Sequence, residues 1–249
     1  MYPFWRLANP FRVKDPENSD AGIAIIFDMD GVLIDSEPNW KIAEVEIFRE
    51  LGVPLTEAMT QQTTGLRMDA CVEYWRKRYP FGGDAAEISA EITSKVADWA
   101  RSSGVPLPGV ATAIAVVRRQ RIPLGLATSS DFSLIEAVLQ RLDLEDAFSA
   151  IASASEVDCG KPDPAVYELC ARRLGYAADQ CIAIEDSVAG VQSATRAGMK
   201  CIAIGDATAS RDDLLGAGAT RWLASLEDLI VDTLSELSRL SSSGPAAPS

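Results

Sequence analysis

The sequence has no histidine. That excludes imidazole general bases, histidine-containing catalytic triads and His-ligated zinc. Proton transfer near neutral pH therefore falls to carboxylates, Lys, Tyr or Cys. Positive charge is scarce too: 23 Lys and Arg face 36 Asp and Glu, a formal net charge of −13. So acidic a chain is a poor binder of nucleic acid or of anionic membrane surfaces. A small anionic ligand remains admissible, because charges beyond ~8 Å are screened at physiological salt and a bound divalent cation would dominate the local field. Long apolar runs are missing, and none reaches the ~18 residues of a membrane span. The opening MYPFWRLANP lacks a long apolar centre and a small-residue cleavage site, and is not read as a secretion signal. Five cysteines, Cys71, Cys159, Cys170, Cys181 and Cys201, form no CxxC pair. That points to a reduced, cytoplasmic protein, with Cys181 and Cys201 as core thiols in apolar runs.

What is present starts with 249 residues at 47% hydrophobic content, enough for one large domain or a core with an insert. The stretch Ala24 to Glu37 reads AIIFDMDGVLIDSE. Its apolar run Ile23–Phe27 predicts a buried strand. The strand delivers Asp28 and Asp30, and Gly31 then marks a turn with exposed backbone. Strand alternation puts both aspartates on one face. Two acids at the carboxyl end of a buried strand repel each other and lose hydration, and the simplest compensation is a bound divalent cation.

Residues 1–20, with Pro3, Pro10 and Pro16, are expected to form a flexible leader. From Pro38 the spacing turns helical, with Ile42, Val45, Phe48 and Leu51 on one face until Gly52 and Pro54. Leu66–Tyr79 and Ala85–Ser102 predict two more helices, with no strand between Pro38 and Gly104. After Pro106-Leu-Pro-Gly109, helices and short strands alternate. The expected order is helix Val110–Gln120, strand Ile122–Ala127, a helix capped by Asp131 and ending near Leu142, then strand Phe148–Ala152. Next comes a helix with Asp163 at the N-cap, Pro164 at N1 and Gly175 as its stop, then strand Cys181–Ile184 and helix Val188–Ala197. Strands Cys201–Ile204 and Arg221–Ala224 precede a closing helix Leu226–Leu240, and the tail SSSGPAAPS is expected to be disordered. This alternation predicts an α/β fold: a Rossmann-like parallel sheet with helices on both faces, plus a small all-helical domain inserted after the first strand. The chain divides into a leader (1–20), an α/β core (21–36 and 107–240), a helical cap (37–106) and a tail (241–249).

Ligands of such sheets bind at the carboxyl ends of the strands. Those ends carry Asp28 and Asp30, Thr128 and Ser129, and Glu185 and Asp186, and Lys161 can reach the same edge from a loop. Singly, each has a plain structural reading as a turn acid, a capping hydroxyl or a surface lysine. Together they supply what phosphate-monoester hydrolysis demands, a reaction needing up to ~10²¹-fold acceleration. Asp28 can take the phosphoryl group as a nucleophile, and Asp30 can protonate the leaving alkoxide and then activate water. Thr128 and the Ser129 amide can hold phosphoryl oxygens near a helix N-terminus. Lys161 sets positive charge against nucleophile and phosphate. Asp186 completes a Mg²⁺ site with Asp28 and the backbone carbonyl of Asp30, while Glu185 ligates through water or orients the site. Oxygen-only ligands and abundance favour Mg²⁺ over Mn²⁺.

Four segments carry a resemblance: Asp28-Met-Asp-Gly-Val-Leu-Ile-Asp-Ser-Glu37, Thr128-Ser-Ser130, Lys161-Pro162, and Glu185-Asp-Ser-Val-Ala-Gly190 continuing to Ala197-Gly198. In this order they resemble the motifs of the haloacid dehalogenase superfamily of aspartyl-phosphate phosphatases, from Ile23 to the last strand. The insert is similar to the helical cap of the β-phosphoglucomutase-like branch. The resemblance implies the roles above, a phosphoric monoester hydrolase, a small phosphorylated sugar as substrate and a monomeric chain. Dehalogenase members lack the second aspartate, so Asp30 favours phosphoryl chemistry. The mutase-like pattern places a histidine a few residues past the DSE segment; here that position is Trp40, which weakens a mutase reading. Thr64 to Trp75, with Glu37-Pro-Asn-Trp40, is most similar to bacterial hexitol and 2-deoxyglucose 6-phosphate phosphatases. Trp40 and Arg67 are read as facing the substrate from the insert or, equally, as a helix-packing aromatic and a first-turn surface residue. The alternatives are a hexose phosphomutase and a non-catalytic sugar-phosphate sensor, and intact motifs argue against the second.

Overall fold

The computed structural model describes residues 22–205 and 209–229. In chain order its elements are β1 (Ala24–Phe27), α1 (Glu37–Glu50), α2 (Glu57–Thr60), α3 (Met68–Arg78), α4 (Ala85–Ser103), α5 (Val110–Arg119), β2 (Leu124–Thr128) and α6 (Phe132–Leu142). There follow β3 (Ala150–Ser153), α7 (Ala165–Leu174), β4 (Cys181–Glu185), α8 (Val188–Arg196), β5 (Lys200–Ile204), α9 (Arg211–Gly216) and β6 (Arg221–Leu223). All strands are parallel, in the order β3-β2-β1-β4-β5-β6.

The two faces of the sheet differ in side-chain size. One carries Phe27, Leu126, Ile182, Ile184 and Ile202, and is covered by α5 and α6. The other carries Ala127, Ala152, Cys181, Ala183 and Cys201, and is covered by α7, α8 and α9. A parallel sheet buried on both faces needs apolar residues at successive positions, which is why its strands read as continuous apolar runs. The small second face lets α7 lie close: a Cβ on Gly125 would stand 2.6 Å from Cys170 Sγ.

Helices α1–α4 form the insert between β1 and α5. Phe48, Trp75 and Ile92 are fully buried in it, and α4 packs on α6, so the insert and the Ile/Leu face share one apolar cluster. Its two connections are tied together by an Ile34–Pro106 bridge and by Leu107 N–H donating to Leu33 O at 3.0 Å.

Several boundaries depart from expectation for identifiable reasons. Pro123 has no N–H to give, so the ladder of β2 starts at Leu124. Arg67 is extended (φ −63°, ψ 141°), which delays α3 to Met68. The Asp163 carboxylate accepts from Ala165 N–H at 3.0 Å, forming a local turn; Pro164 takes the cap position and α7 begins one residue later than expected. Helices α2 and α9 are too short to show a period. The expected closing helix Leu226–Leu240 is, in its described part, a single 3₁₀ turn at Leu226–Asp228, capped by Ser225 and held by buried Leu226 and Leu229. The rest of that helix, the leader 1–20 and the tail 241–249 lie outside the described residues.

Candidate active site

β1 and β4 are neighbours although β2 and β3 intervene in the chain, so their carboxyl ends border the crevice where strand order reverses. Asp28 N–H extends the ladder by donating to Ile184 O at 2.9 Å. Asp28 thereby meets Glu185 and Asp186, and one carboxylate oxygen from each lies within 4.8 Å of the others. Lys161 is buried among them, its Nζ 2.6 Å from Glu185 Oε1 and 2.9 Å from Asp28 Oδ1. Tyr167 reaches the same point across the small face, donating to Glu185 Oε1 at 2.7 Å with its ring centre 5.1 Å from Lys161 Nζ. Glu185 Oε2 accepts from the Asp186 amide, the Ser187 amide and Ser187 Oγ at 3.1–3.3 Å. Both Glu185 oxygens are therefore engaged, an arrangement that holds Lys161 in place.

Three buried carboxylates face one buried ammonium. Burial, then the neighbouring Glu185, push the Asp28 carboxyl up to about 8, against the pull of Lys161. Burial works against the Lys161 ammonium, but Asp28 and Glu185 outweigh it and raise its pKa. The Lys161 ammonium, 2.9 Å away at an unfavourable angle, is the one close polar partner of buried Asp28 Oδ1 among the described residues. Three buried carboxylates with one ammonium between them, offering only oxygen donors, fit a hard divalent cation. Gly31 makes room for this arrangement. It sits at φ +72°, and a Cβ there would stand 1.9 Å from Asp186 Oδ2. Gly31→Ala is expected to displace Asp186 and to weaken the binding of a divalent cation roughly tenfold or more, measured by titration calorimetry; unchanged affinity would mean that Asp186 does not hold the cation.

Asp30 lies beside this cluster with both oxygens engaged. Ser36 Oγ (2.5 Å) and Trp40 Nε1 (3.1 Å) donate to Oδ1, and Ser130 Oγ (2.7 Å) donates to Oδ2. Thr128 is buried at the end of β2, where its Oγ1 accepts from the Ser130 amide at 3.1 Å. Ser129 Oγ crosses to the insert and donates to Gly65 O at 3.1 Å. Asp28, Asp30, Thr128, Ser129, Asp186, Trp40 and Arg67 all line one cavity of about 420 Å³ between insert and sheet. Lys161 and Glu185 lie behind its floor. Arg67 borders the cavity, but its guanidinium is turned to other work. Nε and Nη2 pair with Asp69 at 2.7 Å, Nη1 donates to Ala154 O and Val157 O at 2.8 Å, and Nη2 donates to Asp158 O at 3.2 Å. All five donors are accounted for, so Arg67 fastens the insert to the loop after β3.

A family model described as haloacid dehalogenase-like hydrolase matches residues 25–204. The chain belongs to this family. Hexitol phosphatase B of Escherichia coli (strain K12) is 38% identical over 192 residues, covering 76% of this chain and 86% of the relative. The phosphorylated carbohydrates phosphatase of Thermotoga maritima is 34% identical over 186 residues, covering 72% and 83%. The crystal structure of CbbY from Rhodobacter sphaeroides in complex with phosphate matches with a TM-score of 0.75 at 27% identity, covering 85% of this chain and 98% of that one.

In this haloacid dehalogenase-like hydrolase, sequence reasoning gave no role to Ser36, Ser130 or Tyr167. Ser36 and Ser130 stand inside the motif segments, which mark their positions but name no partner for them. Tyr167 carried no signal: it is an aromatic in an amphipathic helix, and only the close approach of α7 brings its hydroxyl to Glu185. Among the described residues no helix is long and apolar enough to cross a membrane.

Proposed function

We propose that the chain is a Mg²⁺-dependent phosphatase of small sugar or sugar-alcohol phosphates, working through an aspartyl-phosphate on Asp28. The observation that carries this reading is buried Asp28 at the floor of the cavity, its Oδ1 2.9 Å from Lys161 Nζ and one of its carboxylate oxygens within 4.8 Å of oxygens from Glu185 and Asp186. A carboxylate oxygen of Asp28 attacks phosphorus, the bond from phosphorus to the sugar oxygen breaks, and the leaving alkoxide takes a proton from Asp30. Water then attacks the same phosphorus while Asp30 recovers a proton from it, and the Asp28–phosphoryl bond breaks to release inorganic phosphate. Trp40 Nε1 can only donate, so Asp30 Oδ1 must accept, and the mobile proton belongs on Oδ2, where the Ser130 hydroxyl can reverse its bond. Thr128 and Ser129 hold phosphoryl oxygens, and Lys161 keeps Asp28 aligned and offsets its charge. Asp28, Asp186 and the Asp30 carbonyl would hold Mg²⁺, which supplies charge neutralisation for the transferring group. Helices α1–α4 act as the cap over the site. Both halves of the pocket come from one chain, so a monomer has a complete site.

The test is phosphate release from 2-deoxyglucose 6-phosphate, sorbitol and mannitol 6-phosphates, fructose 1-phosphate, β-glucose 1-phosphate and phosphoglycolate. Release from the sugar and hexitol phosphates is expected with Mg²⁺ and lost with EDTA. No release from any of them with Mg²⁺ would overturn the reading, and conversion of β-glucose 1-phosphate to glucose 6-phosphate would replace it with a mutase.

A further inference from the structure

The insert supplies its own share of the cavity wall, including Lys41 and Glu44 of α1, Thr60 of α2, Thr63, and Thr93 of α4. Glu44 is the unusual member. It is 7% exposed, and its one hydrogen bond is from Cys71 Sγ to Oε2 at 3.5 Å. Oε1 has no hydrogen-bond partner among the described residues. A carboxyl so buried is normally paired or bonded on both oxygens. Here the open side is the cavity.

The charges around it define what the wall can bind. Lys41, one turn earlier, leans to Glu37 at 3.7 Å. Arg67 has no donor left over. A second phosphate at this end would find both nearby cations already paired, so its charge would lose water without gaining a counter-charge. Hydroxyl groups would find partners: Thr60 Oγ1 donates to Glu57 O and Thr63 Oγ1 donates to Thr60 O, so each keeps lone pairs to accept.

Resting on the phosphatase reading above, we infer that Glu44 is the specificity-determining residue, hydrogen-bonding hydroxyls at the unphosphorylated end of a polyhydroxy monophosphate while the same wall rejects bisphosphates. Burial raises the Glu44 carboxyl to about 8, with Cys71 and Lys41 pulling down and Glu37 pushing up. At pH 7 the group is therefore mostly protonated and can both donate and accept, which suits adjacent hydroxyls.

The experiment compares kcat/KM for sorbitol 6-phosphate with kcat/KM for p-nitrophenyl phosphate, an ester without hydroxyls. Glu44→Leu is expected to lower that ratio roughly 10- to 100-fold, mainly through KM for the hexitol phosphate. Glu44→Gln, neutral and of the same shape, is expected to recover most of it. The wild-type protein itself gives a second measurement: fructose 1,6-bisphosphate, whose second phosphate is desolvated there without a counter-charge, should be used about 100-fold less well than fructose 1-phosphate. An unchanged ratio in Glu44→Leu, a Gln variant as poor as the Leu variant, or equal use of the bisphosphate overturns the inference while leaving the phosphatase standing. A wild-type protein that releases phosphate from no sugar phosphate removes both.

Discussion

Asp28→Asn should lower phosphate release by about 10⁴-fold or more and leave the fold in place. The amide keeps the size of the carboxylate but cannot attack phosphorus, and the remaining pocket still binds substrate. Stability should not suffer, because Asp28 is a buried acid crowded by Glu185 and Asp186, and Lys161 keeps Glu185 as its partner once the Asp28 carboxyl is gone. In metal-free buffer the thermal midpoint of the variant should match or exceed that of the wild type. Steady-state phosphate release alongside a melting curve checks both halves. Wild-type turnover in the variant would sink the covalent mechanism.

Lys161→Met should produce the largest loss of stability of any substitution at the site, about 3–5 kcal/mol. Lys161 is 3% exposed and is the only buried cation touching two buried carboxylates among the described residues. Removing it leaves Asp28 and Glu185 facing each other with Tyr167 as the chief remaining donor to Glu185 Oε1. For a domain of this size that corresponds to a midpoint roughly 6–20 °C lower, read by thermal melting in EDTA. Mg²⁺ should restore part of the loss, since the cation takes over part of the charge balance. A midpoint equal to the wild type in EDTA would mean that Lys161 does not balance the cluster.

The sequence made the order of strands and helices legible because each strand is buried on both faces, and runs such as Ile25–Phe27 and Cys181–Ile184 leave little ambiguity. It also made the cluster legible in outline, since parallel strands must bring residues 28, 128 and 185–186 to one edge. What stayed hidden depends on contacts distant in the chain. Arg67 binds backbone carbonyls of residues 154, 157 and 158, and a carbonyl leaves no mark in a sequence. Nothing in the sequence sets Glu44 apart from the other charges of α1, yet it is buried against Cys71 of α3 at the cavity wall. Asp163 offered a good N-cap residue, but its side chain closed a local turn and the helix began later.

The seam fastened by Arg67 reads peptide groups and not side chains. Val157 is half-buried and Asp158 exposed, and each offers Arg67 only its main-chain oxygen. Any residue that keeps the local backbone path would offer the same oxygen. Over evolutionary time the loop after β3 can therefore drift at positions 157 and 158 without loosening the insert, whereas position 67 cannot. The same seam can be inherited unchanged while the residues that the insert adds to the cavity wall diversify.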